Sequence, residues 1–463
     1  MKPITIFLIA TFSFHIHAAV HLSRDGKAEA MIVPYYTVSN GLTTLLTIDN
    51  TTEDFKAVKV HLRDGKKGYA IYSFNLYLAP KDVWAAGIVD NNGIVNILTN
   101  DLSCVFNLNN LIGPPPQTPE SGWEWQTGSL EIIEMGVVDT SQLPALNDQN
   151  RCQILEDAWE AQGPNSLWRA DGTNAMLPIS GGLQAHTRVI DVSFGYSFEV
   201  PVIHLDHFYP DNSIDNQPPE SNTPDLDSGD HNSLVIQKGE AILTEWPTGY
   251  EAVSALLMKT TLENDFETDA AYGAVTEWVI SFPTVRYHLA NTETTVPFIG
   301  DSEYFNFPID YGFAWIAHDR EGLEYGFECF ILCPPIPVGT LTHAVNTYII
   351  NSEESNLSTS ILSGVQRENV RPFDVQGYYF YDNSTNGKIN LLLSDDIYYE
   401  NNIHGINPTD QTQHIYHGLP VIGFAFQRYI NANAQPGLLA TYATSSSHTG
   451  NRRIEIISEV RQQ

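Results

Sequence analysis

The acidic side chains of Asp225, Asp227 and Asp230 lie within a six-residue run, DLDSGD. Carboxylate oxygens at closely spaced positions, with a glycine that permits a sharp turn, are typical of loops that bind Ca²⁺. The loop is not an EF-hand, because its twelfth position is Ile236 where that motif requires a glutamate. These three aspartates predict a calcium site, and the alternative is a solvated acidic linker.

Two short runs combine histidines in patterns that suggest metal ligands, residues 204–207 (HLDH) and residues 414–417 (HIYH). Side chains alternate between the two faces of a strand, so His204 and Asp206 project from one face and His207 from the other. Neither run predicts a metal site unless a bulge reorients one side chain or remote residues complete the set.

Glu131 and Glu134 are candidates for the paired carboxylates of a glycoside hydrolase, which lie about 5–10 Å apart in a cleft. Their odd offset places them on opposite faces of a strand, which argues against that role. The sequence contains no GxSxG, HExxH, Walker or GxGxxG motif. No specific reaction is therefore predicted.

Four cysteines, Cys104, Cys152, Cys329 and Cys333, allow three disulfide pairings. Proximity along the chain favours Cys104–Cys152 and Cys329–Cys333. The second bridge requires a turn, because an extended segment of that length spans about 13 Å and a disulfide tolerates about 6 Å between Cα atoms. A zinc site is disfavoured because no CxxC spacing is present.

The elements that position these residues are mostly strands. Residues 56–63 and 73–78 alternate between apolar and polar side chains, which predicts half-buried antiparallel strands with Lys59, His61 and Arg63 facing outward. Asp64-Gly65 lies between the two runs, as expected for a hairpin turn. Residues 153–160 and 252–266 are the helix candidates.

Residues 209–232 are rich in proline and aspartate and contain no Lys or Arg, so we expect a solvated linker with a domain boundary near residue 230. The prediction is a mainly β protein with two antiparallel β-sandwich (Ig-like) domains, loop insertions and one or two short helices. Residues 19–230 form the first domain with its insertions, and residues 231–463 form a second β-rich domain.

Residues 1–18 have the pattern of a secretory signal peptide: a lysine at position 2, an apolar run and a small residue, Ala18, before the cleavage point. No later segment reaches the roughly 18 apolar residues of a membrane-spanning helix. We therefore expect an exported protein that is periplasmic, extracellular or peripherally attached to the cell surface.

The chain has 23 Lys and Arg against 55 Asp and Glu, a formal net charge of −32. This balance argues against nucleic acid as a partner, because such proteins cluster basic residues. It also argues against binding to anionic lipid surfaces. It favours solubility and makes divalent cations plausible ligands.

Several strings resemble those of a family of exported Gram-negative bacterial β-rich proteins to which no activity is assigned. They are residues 33–38, 44–52, 74–84, 131–136, 276–284 and 418–424. The N-terminal part also resembles Ig-like sandwich modules of bacterial surface proteins. The resemblance implies export and a β-rich fold, and it carries over no catalytic residue.

Together these patterns favour an exported non-enzymatic structural or binding protein of the periplasm or cell surface, with other surface proteins or glycans as partners. The alternative hypothesis is a carbohydrate-directed binding protein or hydrolase, with calcium as its candidate ligand. Trp123 and Trp125, in a loop rich in proline and glycine, are the better placed of the aromatic residues for stacking on a sugar ring.

Overall fold

The computed structural model describes residues 19–108, 125–160, 166–290, 293–298, 311–325, 339–350, 359–363, 369–370, 385–393, 401–430, 435, 437–438 and 440–457. The predicted signal peptide, Cys329, Cys333 and Trp123 lie outside these residues.

Thirty-two strands and two α-helices are present in the described residues. The strands up to residue 206 are β1 His21–Leu22, β2 Ala30–Thr37, β3 Leu42–Asn50, β4 Lys56–Asp64, β5 Ala70–Leu78, β6 Val83–Asn91, β7 Ile94–Leu98, β8 Cys104–Phe106, β9 Thr127–Val138, β10 Met176–Leu177, β11 Leu183–Asp191, β12 Tyr196–Val200 and β13 Ile203–Asp206. The later strands are β14 Asn232–Gln237, β15 Glu240–Glu245, β16 Met258–Lys259, β17 Thr261–Glu267, β18 Val275–Ser281, β19 Leu289–Ala290, β20 Glu293–Thr294, β21 Tyr311–Asp319, β22 Glu324–Tyr325, β23 Gly339–Leu341, β24 Val345–Ile350, β25 Asn369–Val370, β26 Asn386–Leu392, β27 Asn402–Ile406, β28 Gln413–His417, β29 Leu419–Pro420, β30 Ile422–Ile430, β31 Thr441–Ser447 and β32 Arg453–Ile457. The helices are α1 Arg151–Trp159 and α2 Gly249–Leu257.

The first thirteen strands form two sheets that face each other. One has the order β1-β13-β2-β9-β4-β5-β8, with β10 paired to β9, and the other has the order β12-β11-β3-β6-β7. Apolar side chains from both sheets, among them Val60, Leu46 and Trp84, form one buried cluster. The strand pairings within both sheets are antiparallel, so the predicted mainly β, antiparallel sandwich class is confirmed. The Ig-like identity stays a prediction.

The later strands form three larger sheets, ordered β14-β15-β27-β28-β32, β17-β26-β21-β22 with β23 on β21, and β25-β24-β18-β30-β31. Two short pairs, β16-β29 and β19-β20, complete the set. Phe266, Trp278 and Ile389 belong to a buried cluster between the second and third of these sheets. A second sandwich-like core is therefore present in this half of the chain.

The helix predicted over residues 153–160 is confirmed by α1. The helix predicted over residues 252–266 is wrong beyond Leu257, where α2 ends and short strands begin. In β17, Leu262, Asn264 and Phe266 are buried at alternate positions, so this stretch has the period of a strand and not of a helix.

The predicted outward face of β4 is buried, and this expectation is wrong. Lys59 and His61 are 0% exposed and Arg63 is 4% exposed. The cause is the segment of residues 208–231, called the covering segment below, which packs over this face instead of forming a solvated linker. Its backbone carbonyl groups accept hydrogen bonds from the buried basic side chains: Lys59 Nζ donates to Pro218 O at 2.6 Å and His61 Nε2 to Pro224 O at 2.7 Å.

Hydrophobic packing also crosses residue 230. One buried cluster contains Val20 and Ile32 from the first half, Tyr209 and Leu226 from the covering segment, and Trp246 from the second half. Buried apolar side chains are therefore in one continuous cluster on both sides of the predicted boundary near residue 230. The assignment of two domains stays a prediction.

Candidate metal centre

Three metal-ligating side chains converge at the edge of the first sheet. His21 Nε2 lies 3.7 Å from Asp206 Oδ2, and His207 Nδ1 lies 3.5 Å from Asp206 Oδ1. The ligand atoms of all three residues lie within 4.8 Å of one another. In the part of the chain that the structure describes, no other group of three His, Cys, Asp or Glu side chains meets this spacing.

Strand register places the first two residues together. β1 pairs with β13 in antiparallel orientation, and His21 is the direct partner of Asp206. Side chains directly opposite each other in such a pair have Cβ atoms about 5 Å apart and point to the same face. The pairing therefore brings His21 onto Asp206 although the two residues are 206 − 21 = 185 positions apart in the sequence.

A change of backbone conformation brings in the third residue. β13 ends at Asp206, and His207 has a φ of 50°, in the left-handed region that only a few non-glycine residues adopt. The alternation of strand faces therefore stops at Asp206, and the His207 side chain lies beside the Asp206 carboxylate. The expectation that residues 206 and 207 face apart is wrong for this reason, while His204 is not part of the group.

Hydrogen bonds to the backbone orient the side chains of His21 and Asp206. His21 Nδ1 lies 3.0 Å from the carbonyl oxygen of Ala19. Because a carbonyl oxygen only accepts, Nδ1 carries the proton, and the lone pair of Nε2 is available beside Asp206. Metal-ligating histidines commonly donate their other ring N–H to a carbonyl in this way. Asp206 Oδ1 also accepts a hydrogen bond of 3.0 Å from the backbone N–H of His207.

The ligand set is chemically selective. Two imidazoles and one carboxylate suit Zn²⁺ and related first-row divalent ions, whereas Ca²⁺ prefers six to eight oxygens. Around a tetrahedral Zn²⁺ with bonds near 2.1 Å, neighbouring ligand atoms lie about 3.4 Å apart. His21 lies 3.7 Å from one Asp206 oxygen and His207 lies 3.5 Å from the other, and the ligand atoms of the three residues lie within 4.8 Å of one another. Coordination of one ion therefore requires the side chains to move inward.

The centre is accessible from solvent. The side chains of His21, Asp206 and His207 are 26%, 36% and 54% exposed. An ion can therefore enter without opening the hydrophobic core. Three protein ligands also leave a coordination position for water or for a group from another molecule.

The three aspartates of the predicted calcium site are placed differently. Asp225 Oδ1 accepts a 3.0 Å hydrogen bond from the backbone N–H of Asp227, and Asp230 Oδ1 accepts one of 2.8 Å from the N–H of Asn232. Burial raises the pKa of Asp225, which lies near the Arg63 guanidinium. Their oxygens do not form a group with the spacing of the His21 centre. The calcium site stays a prediction.

The other sequence candidates lie within internal contacts. Glu131 pairs with Arg63, whereas Glu134 accepts a hydrogen bond of 2.7 Å from Lys56 Nζ. Both carboxylates are buried, and their cross-strand partners, His61 and Val58, belong to opposite faces of β4. The two glutamates are therefore not brought together as a catalytic pair.

Two further pairs are also internal. His414 is 2% exposed and hydrogen-bonds to Thr244 at 2.8 Å, whereas His417 Nε2 lies 3.4 Å from Glu455 Oε2, so the two histidines have separate partners. Ser254 Oγ lies 3.1 Å from His288 Nε2, which has the form of a nucleophile and its base. Ser254 and His288 are 0% and 1% exposed, so a substrate does not reach this pair.

The disulfide between Cys104 and Cys152 is present, as predicted from their proximity, and it joins β8 to α1 with a Cα–Cα distance of 5.1 Å. The predicted bridge between Cys329 and Cys333 lies outside the described residues. Trp125 packs against the core of the first sandwich, and its indole N–H donates to Gly93 O at 3.4 Å.

No protein-family model, curated protein or solved structure matches this chain. The resemblance to a family of exported proteins therefore stays a prediction. No helix in the described parts of the chain is both long enough and apolar enough to span a membrane. The geometry of the metal centre is thus the basis on which a function is proposed.

Proposed function

We propose that this protein is an exported, non-enzymatic binding protein that holds one divalent transition-metal ion, of the Zn²⁺ type, through His21, Asp206 and His207. The convergence of these three side chains from two strands and a left-handed turn is the observation that carries the proposal. The open coordination position allows the bound ion to contact a further ligand.

Two other features support this assignment. The Cys104–Cys152 disulfide suits an oxidising compartment, which agrees with the signal-peptide pattern of residues 1–18. The net charge of −32 produces a negative potential that concentrates cations near the surface. Export would expose the site to metal ions outside the cytoplasm, and the negative potential would raise the local concentration of those ions.

Isothermal titration calorimetry of chelator-treated protein with Zn²⁺ tests the proposal. We expect one Zn²⁺ per chain, with affinity lowered at least about tenfold by His207→Gln or Asp206→Asn, because each change removes a ligand. Co²⁺ provides a second readout, since its visible spectrum reports coordination geometry. Absence of a one-to-one zinc event in the unmodified protein would overturn the proposal.

His186→Gln is the matched control. His186 Nε2 lies 3.9 Å from Asp49 Oδ2, so it forms an exposed His–Asp pair without a third ligand. We expect this variant to bind zinc as the unmodified protein does. Equal losses of affinity in His186→Gln and His207→Gln would show that zinc binds surface histidines without selectivity, which contradicts the proposed centre.

A further inference from the structure

The N-terminal segment of residues 19–23 connects the two halves of the chain. Val20 forms a parallel bridge with Ser233 next to β14. Its backbone N–H donates to Asn232 O at 2.9 Å, and its carbonyl accepts from the N–H of Leu234 at 2.9 Å. The Val20 side chain is fully buried in the cluster that also contains Val235 of β14 and Phe208.

The same segment is hydrogen-bonded to the first sheet on its other side. His21 and Leu22 pair with Asp206 and Leu205 of β13, and the N–H of Ser23 donates to His204 O at 2.9 Å. β1 is therefore a two-residue strand at the edge of the first sheet, lying between β13 and β14.

Such an attachment is weak by itself. A two-residue strand is prone to local opening, because few hydrogen bonds offset the conformational entropy that is lost when the segment is ordered. Val20 is the member of this segment that contributes to the large buried cluster. Strand β1 itself has two residues, and the further backbone bonds of the segment are those of Val20 and Ser23. With so few contacts, we expect the segment to open at a lower free energy than the strands of either core.

The ligands of the candidate metal centre lie on both sides of the contact between the N-terminal segment and β13. One of its ligands, His21, lies on the N-terminal segment, and the other two, Asp206 and His207, lie where β13 leads into the covering segment. An ion bound to all three cross-links the N-terminal segment to a site 185 residues away (206 − 21). Metal affinity and the closed position of the segment are then linked, because the complete ligand set exists only when the segment is docked.

We propose that the metal ion is a clasp for the N-terminal segment: binding fastens residues 19–23 between β13 and β14, and removal of the ion allows this segment to open while both cores stay folded. This inference rests on the proposed function, because it requires that His21, Asp206 and His207 bind a metal. It adds that metal availability controls whether residues 19–23 stay docked between β13 and β14.

Hydrogen exchange measured by mass spectrometry, with Zn²⁺ and with chelator, tests the clasp. At free Zn²⁺ of 100 times Kd, opening that releases the ion becomes about 100-fold rarer. We therefore expect about 100-fold slower exchange of the amides of Val20 and Ser23 in zinc. In chelator these two amides should exchange faster than those of β4, which lies in the middle of the first sheet, because the segment opens while the core stays folded. The amides of β7, an edge strand of the second sheet that carries no metal ligand, open without releasing the ion and should exchange at the same rate in both conditions.

The variants Asp206→Asn and His186→Gln show whether zinc slows exchange by binding at the proposed centre or at another surface histidine. In Asp206→Asn, which keeps the size of a partly exposed side chain, zinc at the same concentration should slow exchange in the N-terminal segment at least about tenfold less than in the unmodified protein, because its affinity is lower by that factor. In His186→Gln the response should persist. If calorimetry detects no zinc binding, the proposed function itself fails. If zinc binds but exchange of residues 19–23 is unchanged, or if β7 slows equally, the clasp alone is overturned.

Discussion

Arg63 Nη2 lies 2.5 Å from Glu131 Oε2, and the two side chains are only 5% and 2% exposed. The pair joins β4 to β9, and Arg63 Nη2 also donates to the hydroxyl of Tyr287, a residue of the second half, at 2.9 Å. A buried ion pair stabilises a fold mainly by compensating two charges that have lost their water. Removing one partner is therefore more harmful than removing both.

A double-mutant cycle measures this dependence. We expect Arg63→Met to lower the free energy of unfolding by about 3–5 kcal/mol, because the buried Glu131 carboxylate is left without a cation. Arg63→Met combined with Glu131→Leu should be more stable than Arg63→Met alone. The control is Arg188→Met, which removes an exposed pair with Glu199 and should cost at most about 1 kcal/mol. Additive losses in the double variant would contradict the prediction.

Glu277 makes the stability depend on pH. This fully buried carboxylate accepts hydrogen bonds of 2.6 Å from Ser360 Oγ and from the N–H of Ile361, and burial raises its pKa to about 7 from an ordinary value of 4.5. The folded protein therefore keeps a proton that the unfolded chain loses between these values. The contribution of Glu277 to stability is complete below about pH 4.5 and is lost as the pH rises through about 7, a change of about 3 kcal/mol.

Glu277→Gln tests this linkage, because glutamine keeps an acceptor oxygen but does not ionise. The decrease in Tm of the unmodified protein between pH 5 and pH 8 should be smaller in the variant. Glu267→Gln serves as a control, since the Glu267 carboxylate is paired with Arg320, whose side chain is 64% exposed. The same pH profile for Glu277→Gln and the unmodified protein would contradict the assignment.

The Cys104–Cys152 disulfide closes a loop with a sequence separation of 48. In the chain-entropy description, a loop of this length stabilises the folded state by about 4 kcal/mol. We expect the double variant Cys104→Ser/Cys152→Ser to lose stability of this order in guanidinium unfolding.

Thiol counting in denaturant without reductant tests the second predicted bridge: two free thiols would show that Cys329 and Cys333 are not paired.

The acidic loop predicts a response to calcium that is separate from zinc binding. If Asp225, Asp227 and Asp230 bind Ca²⁺, the Tm of chelator-treated protein rises when calcium is added. Asp227→Asn should abolish this rise without disturbing packing, because Asp227 is exposed. His207→Gln should keep the calcium response and lose the zinc response. An unchanged Tm of the unmodified protein in calcium would eliminate the loop as a site.

Local patterns predicted much of the β structure. The alternation in residues 56–63 and 73–78 corresponds to β4 and β5, and residues 65–69 join them as a hairpin in which Gly68, and not Gly65, has a positive φ of 74°. The period of apolar residues depends on neighbours along the chain, so it is present in the sequence itself. The same alternation wrongly predicted that Lys59 and His61 are exposed to solvent. The covering segment that buries them is about 160 residues away in sequence, so no local pattern could predict their burial.

The candidate metal centre is the clearest example of a feature that the sequence could not predict. The pattern of residues 204–207 predicted that Asp206 and His207 face apart, which is correct for a continuous strand. The conformation of His207 ends the strand, and a positive φ at a histidine has no signal as clear as a glycine or an Asn-Gly pair. His21 was missed because no spacing in the sequence relates it to Asp206.

The sequence by itself predicted the antiparallel β class, the hairpin between β4 and β5 and the short helix α1. Each depends on residues close together in the chain, where periodicity and turn preference act directly. For Cys104 and Cys152, which are 48 residues apart, the sequence favoured the pairing but left two alternatives open. Only the tertiary structure decided which polar groups are buried and which ligands meet. The position of His21 depends on strand register and on burial of Val20 against the second half, and those interactions form between segments far apart in sequence.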